Sequence, residues 1–129
     1  MQSEIALSKY RFEKATTSLE SAKTLFNSEH YADAASSSYF CAFHCMRSVL
    51  ALENIDFKKH SAVISYFQEH YIKTGKFDKS ISGIIKELFK IRGKSDYDDC
   101  FVVSKAEVSQ QIKNAEVFLT KVKEYLSRN

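Results

Sequence analysis

The sequence predicts an all-α protein, an up-and-down bundle of about five helices. Two observations carry that reading. The 129 residues include no proline and three glycines, where average usage would give ~6 and ~9. A sandwich or barrel needs many tight turns, and tight turns need those residues. Apolar residues also recur at steps of three and four along most of the chain, which is the period of a helix with one buried face. The length is that of one domain, residues 1–129, enough to bury ~two-thirds of the unfolded surface without a disulfide or metal.

Each helix has its own signal. Ile5, Phe12, Ala15, Leu19, Ala22 and Phe26 draw the inner stripe of the first, which stops at the polar connector Asn27 to His30. The second runs from Tyr31 to about Glu53, with Tyr31, Ala35, Ser38, Ala42, Cys45 and Val49 on one stripe and Tyr39, Phe43, Met46 and Leu50 beside it. Between Ala34 and Leu52 only His44 and Arg47 can carry charge, so this helix is expected at the centre, packed on several sides. After a polar break at 54–59 comes a shorter helix, with Ser61 expected as N-cap and Gly75 as its stop. Asp78 is placed to cap a fourth, whose inner positions are Ile81, Ile84, Ile85, Leu88 and then Ile91 or Arg92. Gly93 weakens that helix, and a loop is expected from Tyr97-Asp98-Asp99. Ser104 and Glu107 form a capping box before a last helix with Val108, Ile112, Ala115, Leu119, Val122 and Leu126 inward.

Composition excludes several classes. No apolar run approaches the ~20 residues of a membrane-spanning helix, and hydrophobic and charged fractions of 44% and 27% exclude a disordered chain. The net charge of +3 falls on the second half, with five basic and six acidic groups in residues 1–55, nine and seven in 56–103, and five and three in 104–129. That is well short of the dense basic stripe of a DNA-binding domain. Three cysteines, Cys41, Cys45 and Cys100, include no C-x-x-C pair, which fits a reducing compartment. A cytoplasmic protein is expected, the N-terminus having no signal-peptide pattern.

Arg92 is the residue that asks for chemistry. It continues the apolar stripe of the fourth helix, yet a guanidinium keeps its proton and is costly to bury unpaired. It must meet a carboxylate, a groove or a subunit interface. A salt bridge to Asp96, Asp98 or Asp99 is one reading. A phosphate site is the other, since the planar fork of arginine matches phosphate oxygens, with Lys86, Lys90 and Lys94 as a basic rim. Cys41, His44 and Cys45 fall within one helical turn, but structural zinc wants four ligands, usually from separated pairs. No metal site and no cofactor are expected. His30, His60 and His70 have no evident catalytic partner in the sequence. There is no Gly-rich phosphate loop, nucleophile elbow or H-E-x-x-H.

Three segments resemble a known family. Ala34-Ala35-Ser-Ser-Ser-Tyr39-Phe40-Cys-Ala42-Phe43-His44 resembles the "YYAAFHA" core helix of HEPN-domain proteins. Lys59-His60-Ser61-Ala-Val-Ile-Ser, with Phe67 and Lys73-Thr74-Gly75, resembles a small prokaryotic subfamily, and Arg92-Gly-Lys-Ser95-Asp96-Tyr97-Asp98 resembles its R-x-x-A-D-Y-D. The resemblance spans residues 5 to 127. It implies a four- or five-helix bundle, commonly a homodimer, often encoded beside a minimal nucleotidyltransferase as a toxin–antitoxin pair. Many members are metal-independent RNases with an R-x4–6-H motif at the dimer interface. Arg92 takes the arginine's place, while the position five residues on is Tyr97, and no histidine follows His70.

Tyrosine, with a reference pKa of ~10, is a poor base at pH 7, and an aspartate at ~4 is weakly basic. The expectation is therefore an RNA- or nucleotide-binding partner protein with weak or no nuclease activity, Arg92, Lys90 and Lys94 holding phosphate. An RNase using Arg92 with Asp96 or Tyr97, and a purely structural interaction module, are the alternatives. The resemblance further suggests Tyr97 as an acceptor of nucleotidylation by the partner enzyme.

Overall fold

The computed structural model describes residues 2–97 and 103–128, with the backbone alone at 95–97. Five helices follow in order: α1 (Gln2–Asn27), α2 (Tyr31–Ala51), α3 (His60–Phe67), α4 (Ser80–Tyr97) and α5 (Lys105–Arg128). A wider π turn, Gln68–Ile72, extends α3. No strand occurs among the described residues.

The central position of α2 is as expected. It packs against α1, α3, α4 and α5, and Ala42, Cys45, Met46, Val49 and Leu50 are all but inaccessible to solvent. Its neighbours fill the core with Leu19, Phe67, Ile81, Ile85, Leu88 and Phe118. A smaller satellite cluster joins Ala34 and Ala35 of α2 to Ile91, Val103 and Val108.

Capping chemistry sets several boundaries. Ser104 N–H donates to Glu107 Oε1 at 3.0 Å and Glu107 N–H to Ser104 Oγ at 3.1 Å, the reciprocal box that satisfies two orphan donors of α5. Asp78 Oδ2 accepts from the backbone N–H of Ser80 at 3.0 Å and its hydroxyl at 2.6 Å. Gly75, at φ +85°, ends the α3 extension and donates to the Ile72 carbonyl at 2.9 Å; that left-handed conformation favours glycine.

Four expectations are corrected. Ser61 is not the N-cap of α3: the cap position is Lys59, and no side chain caps that end. α4 still includes Tyr97, where the loop was expected to start, and Gly93 does not interrupt it: burial of Ile91 in the cluster with Ala34, Ala35, Val103 and Val108 offsets the ~1 kcal/mol propensity cost of glycine. The inner row of α1 is Ser8, Arg11, Ala15, Leu19 and Ala22, while Ile5 is half exposed. On α5 the buried row is Val108, Gln111, Ala115, Phe118 and Val122, with Ile112, Leu119 and Leu126 partly buried at its flanks.

Candidate functional site

Tyr39, Phe43 and Arg47 stand at i, i+4 and i+8 on α2, and residues four apart share a helix face. Phe40 and His44 form a second such row beside the first. This aromatic and basic face looks toward the start of α3 and the C-terminal half of α4. From α4, Phe89 packs edge-on against Tyr39, with ring centroids 5.9 Å apart. One turn later Arg92 lays its guanidinium over the same ring at 5.1 Å and over Phe40 at 5.3 Å. The inward arginine thus rests on an aromatic platform, an arrangement worth ~0.5–2 kcal/mol.

His60, the first residue of α3, completes the cluster. Its ring stacks on Phe43 with centroids 4.0 Å apart, and its Nδ1 is 3.0 Å from the Tyr39 hydroxyl. Burial, then the charges of Arg92 and Arg47, hold His60 below the ordinary imidazole value, so it is neutral near pH 7. A neutral imidazole has one N–H and one lone pair. With Nδ1–H donating to the tyrosine oxygen, Nε2 is a base; with the hydroxyl donating to Nδ1, Nε2 is a donor.

On the other side of Phe43 lies Arg47, whose guanidinium sits 5.8 Å from that ring. Asp56 Oδ2 accepts from Arg47 Nη2 at 2.8 Å and from Arg11 Nη2 at 3.0 Å, and Oδ1 accepts from Arg47 Nε at 3.2 Å. One carboxylate therefore serves two guanidinia. His44 faces the same cations; burial, followed by Lys14, Arg47, Arg11 and His60, pushes its pKa down to about 4. Its buried Nδ1 has no hydrogen-bond partner, so it is not a hydrogen-bonded core histidine at that atom. Cys41 and Cys45 are buried free thiols, and no group of three potential metal ligands comes together among the described residues.

Arg92 is thus placed beside His60 and Tyr39, neither of which the sequence had nominated. Lys90 and Lys94 are two positions away, about 200° round α4 from Arg92, and both are exposed; the charge of Lys94 bears on Glu107 at the start of α5. The side chains of Asp96 and Tyr97, and all of Asp98, Asp99 and Cys100, lie outside the described residues. The signal that could have found His60 is its place in the Lys59-His60-Ser61 segment of the resemblance, since local spacing links it to nothing.

The described residues form a helical bundle with an arginine and a histidine gathered on an aromatic face. The HEPN domain model matches residues 8–125, and the chain belongs to that family. It is similar to "Putative toxin MJ0142" of Methanocaldococcus jannaschii, 37% identical over 114 residues covering 88% of this chain and 78% of that one. A "UPF0332 protein" of Thermotoga maritima is 27% identical over 113 residues, 88% and 86% of the two chains. Among solved structures, TT1696 from Thermus thermophilus superposes with a TM-score of 0.77 over 91% of this chain and 96% of that one, at 16% identity. That likeness shows the fold. No helix among the described residues is long and apolar enough to cross a membrane.

Proposed function

We propose that this protein is the toxin-like, RNA- or nucleotide-binding component of a two-gene system whose other member is a minimal nucleotidyltransferase. It works as a homodimer and grips a phosphate through Arg92. One observation carries the reading: the Arg92 guanidinium sits against the rings of Tyr39 and Phe40 beside a histidine that Tyr39 orients. Arginine supplies the charge and the fork, the rings beneath hold its guanidinium in place, and Lys90 and Lys94 add longer-range attraction. The similarity to a protein named as a toxin supports the toxin-like role.

Fluorescence anisotropy with a labelled single-stranded RNA tests it. Arg92→Ala weakens binding tenfold or more, and Arg92→Lys restores it only in part, because an ammonium lacks the fork. Equal affinity of wild type and Arg92→Ala contradicts the reading.

A second reading, RNA cleavage, is favoured by His60. Attack by a 2′-hydroxyl needs a base active near neutral pH and a cation on the phosphorane. Asp96 and Tyr97 are weak candidates for the base on reference pKa, whereas a neutral His60 beside Arg92 suits it. An RNase assay in EDTA decides: cleavage lost in both His60→Ala and Arg92→Ala establishes this reading, and an intact substrate with wild type dismisses it. Tyr97 is the proposed acceptor of nucleotidylation. Incubation with the partner enzyme and ATP adds one nucleotidyl mass to wild type and none to Tyr97→Phe; a shift that persists in the variant removes Tyr97 from that role.

A further inference from the structure

Beyond His60, on the side away from Arg92, the surface opens into a hollow of about 370 Å³ lined by Phe43, Arg47, Asp56, Phe57, Lys58 and His60. Three features of it point to a ligand. The first is charge. Among the lining residues Arg47 and Lys58 are cations against the one carboxylate of Asp56, which Arg11 also engages from outside the lining, so positive charge is in excess. The second is the aromatic lining. Phe57 is 37% exposed, its ring held at 5.4 Å from Tyr66, and a base can stack on such a ring whatever its identity. The third is the start of α3, where no side chain caps the helix and the dipole favours an anion.

From these we infer that the hollow is a second phosphate-and-base subsite, which makes the ligand a single strand with several phosphates rather than a free mononucleotide. The inference rests on the Arg92 reading for the first subsite and extends it along α2. Tyr39, beneath Arg92, and Arg47, at the hollow's edge, are eight residues apart, about 12 Å along the helix axis. No single phosphate bridges that distance, whereas successive phosphates of one strand do. His60 stands between the two subsites, stacked on Phe43 and lining the hollow. The segment Asp56-Phe57-Lys58-Lys59-His60 interleaves an aromatic residue with cations, the composition of surfaces that bind single strands by charge and stacking together.

The test measures affinity of the full-length protein for uridine 5′-monophosphate and for oligouridylates of two, four and six nucleotides at fixed salt. Wild type gains at least tenfold between the mononucleotide and the tetranucleotide. Lys58→Glu and Phe57→Ala, both surface changes checked for unaltered circular dichroism, bring that ratio below about three. Lys113→Glu, an equal charge change on the exposed face of α5, keeps it. The wild-type logarithm of affinity for the tetranucleotide falls more steeply with log salt than that of Lys58→Glu, by about 0.7 for one lost phosphate contact. A wild-type ratio near one, a ratio unchanged in both variants, or an equal loss in Lys113→Glu overturns the second subsite and leaves the Arg92 reading standing. Failure of wild type to bind any of the four overturns both.

Discussion

Removing the charge of Asp56 while keeping its shape, by Asp56→Asn, leaves Arg11 and Arg47 facing one another without their shared anion. The side chain of Arg11 is 10% exposed, that of Arg47 25% and that of Asp56 46%. Breaking a fully buried pair costs about 3–5 kcal/mol, and an exposed pair is worth about 1 kcal/mol or less. With one partner nearly buried and the carboxylate half in solvent, the expected cost is about 2 kcal/mol. At an unfolding entropy of ~2.1 cal/mol/K per residue, 129 residues convert this to a fall in Tm of about 7 °C. Arg11→Met removes the cation that most needs the carboxylate but keeps the packed stem, and costs about 1 kcal/mol. The double variant loses less than the two single losses together, by about 1 kcal/mol, since the second change removes a charge the first had stranded. Burial alone would raise the Asp56 pKa, yet the hydrogen bonds from Arg47 and the Phe57 N–H, with the charges of Arg47 and Arg11, hold it below the usual value. This contribution is therefore present above the unfolded aspartate pKa and is lost as pH falls through the folded one. Thermal melts by circular dichroism at pH 7 and pH 3 measure both effects. A Tm for Asp56→Asn within about 1 °C of wild type at pH 7, or strictly additive losses, refutes the reasoning.

Three further outcomes follow from the same structure. Phe67→Ala empties a position that is wholly buried against Tyr71, Phe77 and Phe118; it costs about 3–5 kcal/mol, read as a lower urea midpoint with an unchanged slope. Ser104→Ala breaks the capping box and costs about 1 kcal/mol, a Tm loss near 4 °C, with amide exchange accelerated in the first turn of α5. His44, neutral in the fold with a pKa of about 4, binds its proton more readily when unfolded, so stability falls as pH drops from 6.5 toward 4. The slope has a ceiling of ~1.4 kcal/mol per pH unit, about half that for a half-buried group, and His44→Gln flattens it in melts between pH 7 and 5.

The helices were legible because each carries a local signal: apolar residues three and four apart, a capping box at Ser104 and Glu107, a stop at Gly75. The inner row of α1 was not, because two of its members are polar and their burial depends on distant partners. Ser8 donates to the Ser48 carbonyl at 2.7 Å, and Arg11 reaches Asp56, forty or more residues away. Gln111 is buried for the same reason, bonding Glu87 at 2.8 Å. Arg92 stood out because a charge on an apolar stripe is a local contradiction. His60 did not, since Tyr39 and Phe43, which position it, lie 21 and 17 residues earlier and meet it only when α3 folds back on α2. Gly93 was read only as weakening α4, and the burial of Ile91 in one cluster with Val103 and Val108 keeps the helix intact through it.

A phosphate held between Arg92 and His60 is read directly by the titration of His60. In the free protein, burial and the charges of Arg92 and Arg47 keep the pKa of His60 below the ordinary imidazole value. A bound phosphate offsets those charges and favours the imidazolium. Followed by the C2–H resonance of His60 in NMR, assigned with His60→Gln, its pKa rises when a tetranucleotide is bound, and Arg92→Ala abolishes that rise. A His60 pKa that stays put while the oligonucleotide is demonstrably bound contradicts the account.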